Sequence, residues 1–407
     1  MEATRYFVIP LSVQKDGDLY LIGNADLGDF YQFPEHGLRI LNMLQAGDTA
    51  PAIRARVGAE TEDRLDVDDF LRQLSEIGFI HPEDQKESAQ RRLHTSEQDS
   101  RRTFNVDARV ARAILSPPVL SCCCALALYA VISAINNPAL RINFNAFYIA
   151  TARTPFLLLI MSLSMIHIVL HESGHMLAAA RHGIKSKYGV GNRLWTIVAE
   201  SDLTGILTLP KSQRYFPMLA GIMVDMFFAS LLTVLIQILL RAGAGDFAVQ
   251  VVQALVLDLV ISILWEFDIF VKTDVYYVLC NFFSQPDLDR DARLYLSGLI
   301  HRISFGLLGA RPATEFRRYG VLRTFSLIWL LGRLSSFVLL IGVFLPTMGR
   351  YIASAVYLLD GPPASFWSAL DTIGYVAIIL TMLGIGMYLW LRQKSFRFAA
   401  RWRKSNA

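Results

Sequence analysis

Six runs of about twenty predominantly apolar residues leave this chain few ways to fold. They are Pro118–Asn137, Pro155–Ala180, Phe216–Leu240, Phe247–Phe270, Leu322–Leu345 and Phe366–Leu391. A helix rises about 1.5 Å per residue, so each run is long enough for a hydrocarbon core about 30 Å thick. Backbone groups inside lipid must bond within their own segment, which selects helices. Composition agrees, with 53% of the 407 residues hydrophobic and only 18% charged. The first hundred residues are mixed and polar and hold no cationic-then-apolar leader. The expected fold class is mainly α: a polytopic helical membrane protein with about six transmembrane helices, preceded by a small N-terminal α+β domain of winged-helix type.

Basic residues orient the spans. Arg101, Arg102, Arg109 and Arg112 precede the first, and Arg181, Lys185, Lys187, Arg193, Lys211 and Arg214 follow the second. Lys272, Arg290, Arg293, Arg302, Arg311, Arg317, Arg318 and Arg323 follow the fourth, and the tail carries Arg392, Lys394, Arg397, Arg401, Arg403 and Lys404. The alternate loops hold only Arg141 and Arg153, then Arg241, then Arg350. Both ends in the cytoplasm satisfy the positive-inside rule at every loop, which predicts a multi-pass membrane protein. The net charge of +4 is then a topological signal, and no nucleic-acid partner is expected. Cys122, Cys123 and Cys124 are consecutive in an apolar run and Cys280 stands apart, so neither a disulfide framework nor a cysteine-ligated metal has the spacing it needs.

Residues 1–81 read as a separate domain. Tyr6–Pro10 and Leu19–Gly23 are short strands, with a hairpin turn at Lys15-Asp16-Gly17-Asp18. Amphipathic helices are expected over Pro34–Gln45, Thr49–Val57 and Asp66–Ile77, closed by a strand at Phe79-Ile80. Asp66, Asp68, Asp69 and Glu76 make the third helix acidic, which disfavours DNA. Residues 82–104 are charged and polar and read as a flexible linker to a membrane domain over 105–407.

Within the second span lies His171-Glu172-Ser173-Gly174-His175. Histidines at i and i+4 share one helical face, so two imidazoles can hold one metal ion, with the intervening glutamate as general base. Ionisable groups are costly in a bilayer and mark function there, whereas packing accounts poorly for three within five residues. The expected cofactor is Zn2+, with Glu172 catalytic. Gly174 leaves room for a neighbouring helix. A catalytic zinc takes a third protein ligand. His167 is on the same face, but three histidines over two turns span about 12 Å, too far for ligands about 2 Å from one ion. His167 therefore reads as an outer partner or a helix contact, and His182 as surface. Asp274, just past the fourth span, reaches the same membrane depth as His175 in the expected topology. Glu266 and Asp268 compete with it, as does a structural ion pair. Asp225 either orients a zinc-bound histidine, bonds a substrate strand or packs against a polar helix; Asp258 is equally open. Trp195 and Gly189-x-Gly191 suit an interfacial anchor or a substrate-lining segment, and Arg290–Arg323 an amphipathic surface stretch or a plain basic loop.

Two resemblances follow from these residues. His171-Glu172-Ser173-Gly174-His175, Ala178-Ala179-Ala180-Arg181-x-Gly183, Ser201-Asp202, Leu209-Pro210, Leu219-Ala220-Gly221-x-x-x-Asp225, Asp274-x-Tyr276-Tyr277 and Pro286-x-Leu288 are similar to intramembrane zinc metallopeptidases of the site-two protease family, bacterial peptide zinc metalloprotease branch. That likeness implies Asp274 as third ligand beside His171 and His175. Val275 stands where the family usually has glycine, and Ile222 where a proline often follows the Ala-Gly pair. Leu38-x-x-Leu41-x-x-x-Gln45-Ala46-Gly47-Asp48-Thr49 and Phe70-Leu71-x-x-Leu74-x-x-x-Gly78-Phe79-Ile80 resemble PqqD-like peptide-recognition domains, which implies a leader peptide added as a strand to a sheet edge. Together they imply a peptide or membrane-protein substrate cut near the cytoplasmic face, in maturation or leader removal of a ribosomally made peptide. The alternatives are regulated cleavage of a membrane-anchored regulator, or a non-catalytic peptide-binding transporter or immunity protein.

Overall fold

The computed structural model describes residues 5–405 except 26, 61–65, 92–102, 105, 148, 150–151, 194–195, 270–271, 286, 306, 308–318, 340, 342–344, 347–348, 350–351, 354–355 and 358–364. The chain is mainly helical and divides into two compact units. One comprises Met1–Ala111, Met176–Tyr188 and Ser201–Pro217; the other comprises Arg112–His175, Gly189–Glu200 and Met218–Ala407.

The first unit contains the small N-terminal domain. Its strands are β1 (Tyr6–Val8), β2 (Ser12–Asp16), β3 (Leu19–Asn24), β4 (Asp29–Phe33) and β5 (Ile80–Pro82), and its helices α1 (Glu35–Gln45), α2 (Ala50–Glu60) and α3 (Val67–Glu76). The expected turn before Leu19 is present, with Gly17 at φ 67°. The partner strand, however, is Ser12–Asp16, not Tyr6–Pro10. Pro10 has no backbone N–H, and β1 stops before it to pair antiparallel with the closing strand β5. Strand β4 completes the antiparallel order β2-β3-β4. Helix α3 begins where the Asp66 carboxylate accepts the Asp68 and Asp69 N–H groups, and Gly78 ends it at φ 76°. Ile22, Ile40, Ile53, Leu74, Phe79 and Ile80 meet in one core.

Within this unit strand β2 is fastened to Thr208 and Lys211. Gln14 Nε2 donates to the Thr208 carbonyl at 2.6 Å, and Lys211 Nζ lies 3.5 Å from the buried Asp16 carboxylate. Of the expected linker, Glu83–Gln85 forms a 3₁₀ turn, and Thr103–Phe104 forms a strand, β6. It pairs with β7 (Ser186–Arg193), whose other neighbour is β8 (Thr196–Asp202).

The membrane helices follow the apolar runs. Helices α4 (Ala108–Ile114) and α5 (Pro117–Asn136) make up the first candidate span, Ala108–Asn136. The next three are α6 (Arg153–Ala180), α7 (Lys211–Arg241) and α8 (Asp246–Glu266), and the four have mean hydropathies of 1.8 to 2.2. The expected fifth and sixth spans fall on helices later in the chain, and several residues of the fifth lie outside the described set. These elements are α9 (Asp274–Phe283), α10 (Leu288–Ile303), α11 (Tyr319–Leu339) and α12 (Phe366–Ser405). Four candidate spans are therefore established among the described residues, one for each of the first four apolar runs.

Polar contacts lock the second unit's helices in register. Asp371 on α12 accepts the Arg153 and Thr154 N–H groups at 3.0 and 2.8 Å, capping the free donors at the start of α6. Gln253 on α8 accepts from Asn143 at 2.9 Å, and Tyr129 donates to Gln237 at 2.8 Å. Helix α9 is braced by Tyr276, buried with Cys280 against Leu288, Ala292 and Phe325. The four cysteines are free thiols.

Candidate metal centre

Histidines 171 and 175 stand one turn apart on α6, both buried, with ring centroids 5.0 Å apart. Their Nε2 atoms are 3.2 Å apart. Asp274, the first residue of α9, brings Oδ2 to 2.7 Å from His175 Nε2 and 3.4 Å from His171 Nε2. Donor atoms about 2.0–2.1 Å from one tetrahedral ion lie roughly 3.3 Å from each other. Two edges of the triangle match that spacing, and the third would open by about half an ångström. Asp274 Oδ2 is buried and has no hydrogen-bond partner despite the two nearby nitrogens. The three potential ligand atoms are thus close enough together to converge on a shared cation.

Gly221 on α7 gives a second fit. A Cβ built there would strike the Nε2 atoms of both histidines at once. The hydrogen of glycine thus leaves space beside both Nε2 atoms. Helices α6 and α7 approach this closely because residue 174 is also glycine: an added Cβ would lie 3.0 Å from the Ala220 carbonyl oxygen and 2.6 Å from Val224 Cγ2. The close neighbour expected beside Gly174 is therefore α7.

Two of the three side chains, His171 and Asp274, are held by a carboxylate from another helix. Asp225 on α7 is fully buried, and its Oδ2 lies 2.9 Å from His171 Nδ1. That contact directs the Nδ1 proton to Asp225 and leaves Nε2 bare for a metal. Ser262 donates to the same oxygen at 3.0 Å, and His167 Nε2 lies 2.7 Å from Oδ1. On the other arm, Glu266 Oε2 accepts the Asp274 N–H at 2.8 Å, and Thr273 Oγ1 donates to the Glu266 carbonyl at 2.6 Å. Burial favours the neutral form of Asp274, but the imidazoles of His175 and His171 outweigh it and hold the carboxyl well below the usual carboxylate range.

The sequence candidates therefore separate. His171, His175 and Asp274 form one cluster of ligand atoms, and His167, His171 and Asp225 a second. Glu266 and Asp268 belong to neither; Glu266 instead accepts the Asp274 N–H. Glu172 follows His171 directly and is partly exposed, and its side chain has no hydrogen bond or ion pair among the described residues. Asp258 accepts from Ser164 at 2.6 Å and sits 4.0 Å from His167 Nδ1. His182 is exposed beyond the end of α6. Gly189 and Gly191 lie on strand β7, and Trp195 falls outside the described residues. Sequence reasoning missed Gly221 as a wall of the site. The only signal was its place in the Ala-Gly pair, since periodicity does not say which glycine faces a ligand.

No family model, curated protein or solved structure matches the chain, so the site's own geometry carries the functional argument.

Proposed function

We propose that this chain is a zinc-dependent endopeptidase that cuts a peptide bond at the cytoplasmic edge of a bacterial inner membrane. The observation that carries the reading is the triangle of His171 Nε2, His175 Nε2 and Asp274 Oδ2, next to an unengaged Glu172. Zinc held by these three residues would polarise the scissile carbonyl and acidify the attacking water. Glu172 takes the proton of that water and passes it to the leaving amine. Asp225 keeps His171 in its Nε2-bare tautomer, and Glu266 keeps Asp274 turned toward the histidines. A substrate has to enter extended, because a helix ties up its carbonyls in its own hydrogen bonds.

The topology belongs to the same proposal: six spans with both termini cytoplasmic. Asp371, near the start of α12, caps the start of α6, and both points fall on the outer side in this arrangement. The N-terminal domain, as a winged-helix unit of PqqD-like pattern, would hold a leader segment and raise the local concentration of the cut site. Maturation of a ribosomally made peptide is the substrate class this favours. Cleavage of a membrane-anchored regulator would use the same chemistry.

Glu172→Gln gives the test. Assayed in proteoliposomes against a panel of peptides, the variant should lose about 10²–10⁴-fold in hydrolysis. Its zinc content should stay at the wild-type level. Undiminished hydrolysis would remove Glu172 as the base, and a wild-type protein that cuts nothing while binding peptide would favour the binding or transport reading.

A further inference from the structure

We propose that His167 is a positioning residue of the metal centre: it clamps Asp225 so that His171 presents a bare Nε2 to the ion. This rests on the metal reading above and does not depend on peptide hydrolysis. His167 lies one turn before His171 on the same face of α6, and its side chain is 12% exposed. It is too far along the helix to join the ligand triangle, yet its Nε2 is 2.7 Å from Asp225 Oδ1. The other oxygen of that carboxylate takes His171 Nδ1 at 2.9 Å and Ser262 Oγ at 3.0 Å.

A carboxylate held at one oxygen can turn about its own bond and lose the geometry at that oxygen. Held at both, from α6 through His167 and from α8 through Ser262, Asp225 has one orientation. In that orientation Oδ2 faces His171 Nδ1. Neutral imidazole carries one ring proton, so an acceptor fixed at Nδ1 decides that the lone pair is on Nε2. His167 thus acts on the metal through two intermediaries and touches neither ion nor substrate.

The competing account makes His167, His171 and Asp225 a second ion site, since their donor atoms also lie within 4.8 Å of one another. The contacts argue against it. Both oxygens of Asp225 are engaged at hydrogen-bonding distances with acceptable geometry, whereas Asp274 Oδ2 has no hydrogen-bond partner. The carboxylate of one cluster is already satisfied; the Asp274 Oδ2 of the other is not.

The test uses the full-length protein in detergent, with zinc affinity from chelator competition and the visible spectrum of the cobalt(II)-loaded form. His167→Ala should weaken zinc binding by about 10–100-fold, the usual effect of losing an outer partner. It should also alter the cobalt spectrum. His167→Gln, whose amide N–H can still reach Asp225, should restore most of the affinity. If His167→Ala fails to fold, His167→Phe keeps the ring volume without a donor and should show the same loss. Wild-type affinity and spectrum in the Ala or Phe variant would overturn the proposal. So would two zinc ions per chain with one lost in the variant, because His167 would then be a ligand. A wild-type protein that binds one zinc but cuts no peptide would end the hydrolase reading and leave this inference intact.

Discussion

Asp274→Ala should empty the metal centre and abolish hydrolysis while leaving the helices assembled. The substitution removes the single anionic ligand and leaves two imidazoles, a set that holds zinc poorly. The expected loss of affinity exceeds the ~10–100-fold typical of an outer partner. Assembly should survive because α9 is anchored elsewhere. Tyr276 is buried against Leu288 and Phe325, and Lys272 Nζ is 3.4 Å from Asp287. The Asp274 N–H that bonds Glu266 is backbone and remains. Zinc content after dialysis, read beside circular dichroism and gel filtration, checks this. If Asp274 only forms an ion pair with His175, the variant will retain its zinc.

Gly221→Ala makes the smallest chemical change with a comparably large expected effect. The added methyl would lie about 2.3 Å from both Nε2 atoms, and the ring of His171 is held by Asp225. Neither ring can swing away without giving up its present partner. All three ligands would still be in the chain, yet zinc should not bind. Gly245→Ala is the matched control, because a Cβ there meets nothing within 4 Å. Full zinc occupancy in Gly221→Ala would show that the ion, if present, sits elsewhere.

The sequence made the apolar helices legible because a helix crossing lipid is written as an uninterrupted apolar run of about 20 residues. Arg153–Ala180, Lys211–Arg241 and Asp246–Glu266 coincide with such runs to within a few residues at most ends. The closeness of His171 and His175 was legible for a similar reason, since an i, i+4 pair is local to one helix. Strand pairing in the N-terminal domain was not. The pairs Tyr6↔Pro82 and Val8↔Ile80 join segments more than seventy residues apart, and local propensity has no term for that distance. The same limit hid the supports of the site. Asp225 could be read only as one of several buried-carboxylate roles until His167, His171 and Ser262 were seen around it. Glu266 looked like a rival ligand because its distance along the helix is legible but its direction is not; the structure turns it to the Asp274 N–H.

The account depends on a divalent ion at the junction of α6, α7 and the start of α9. Zinc quantification and X-ray absorption spectroscopy on the purified wild-type chain address it most directly. The prediction is one zinc per chain in a nitrogen- and oxygen-only shell that includes two imidazoles. Absence of bound metal after purification in zinc-replete buffer, or a shell without histidine, would contradict it.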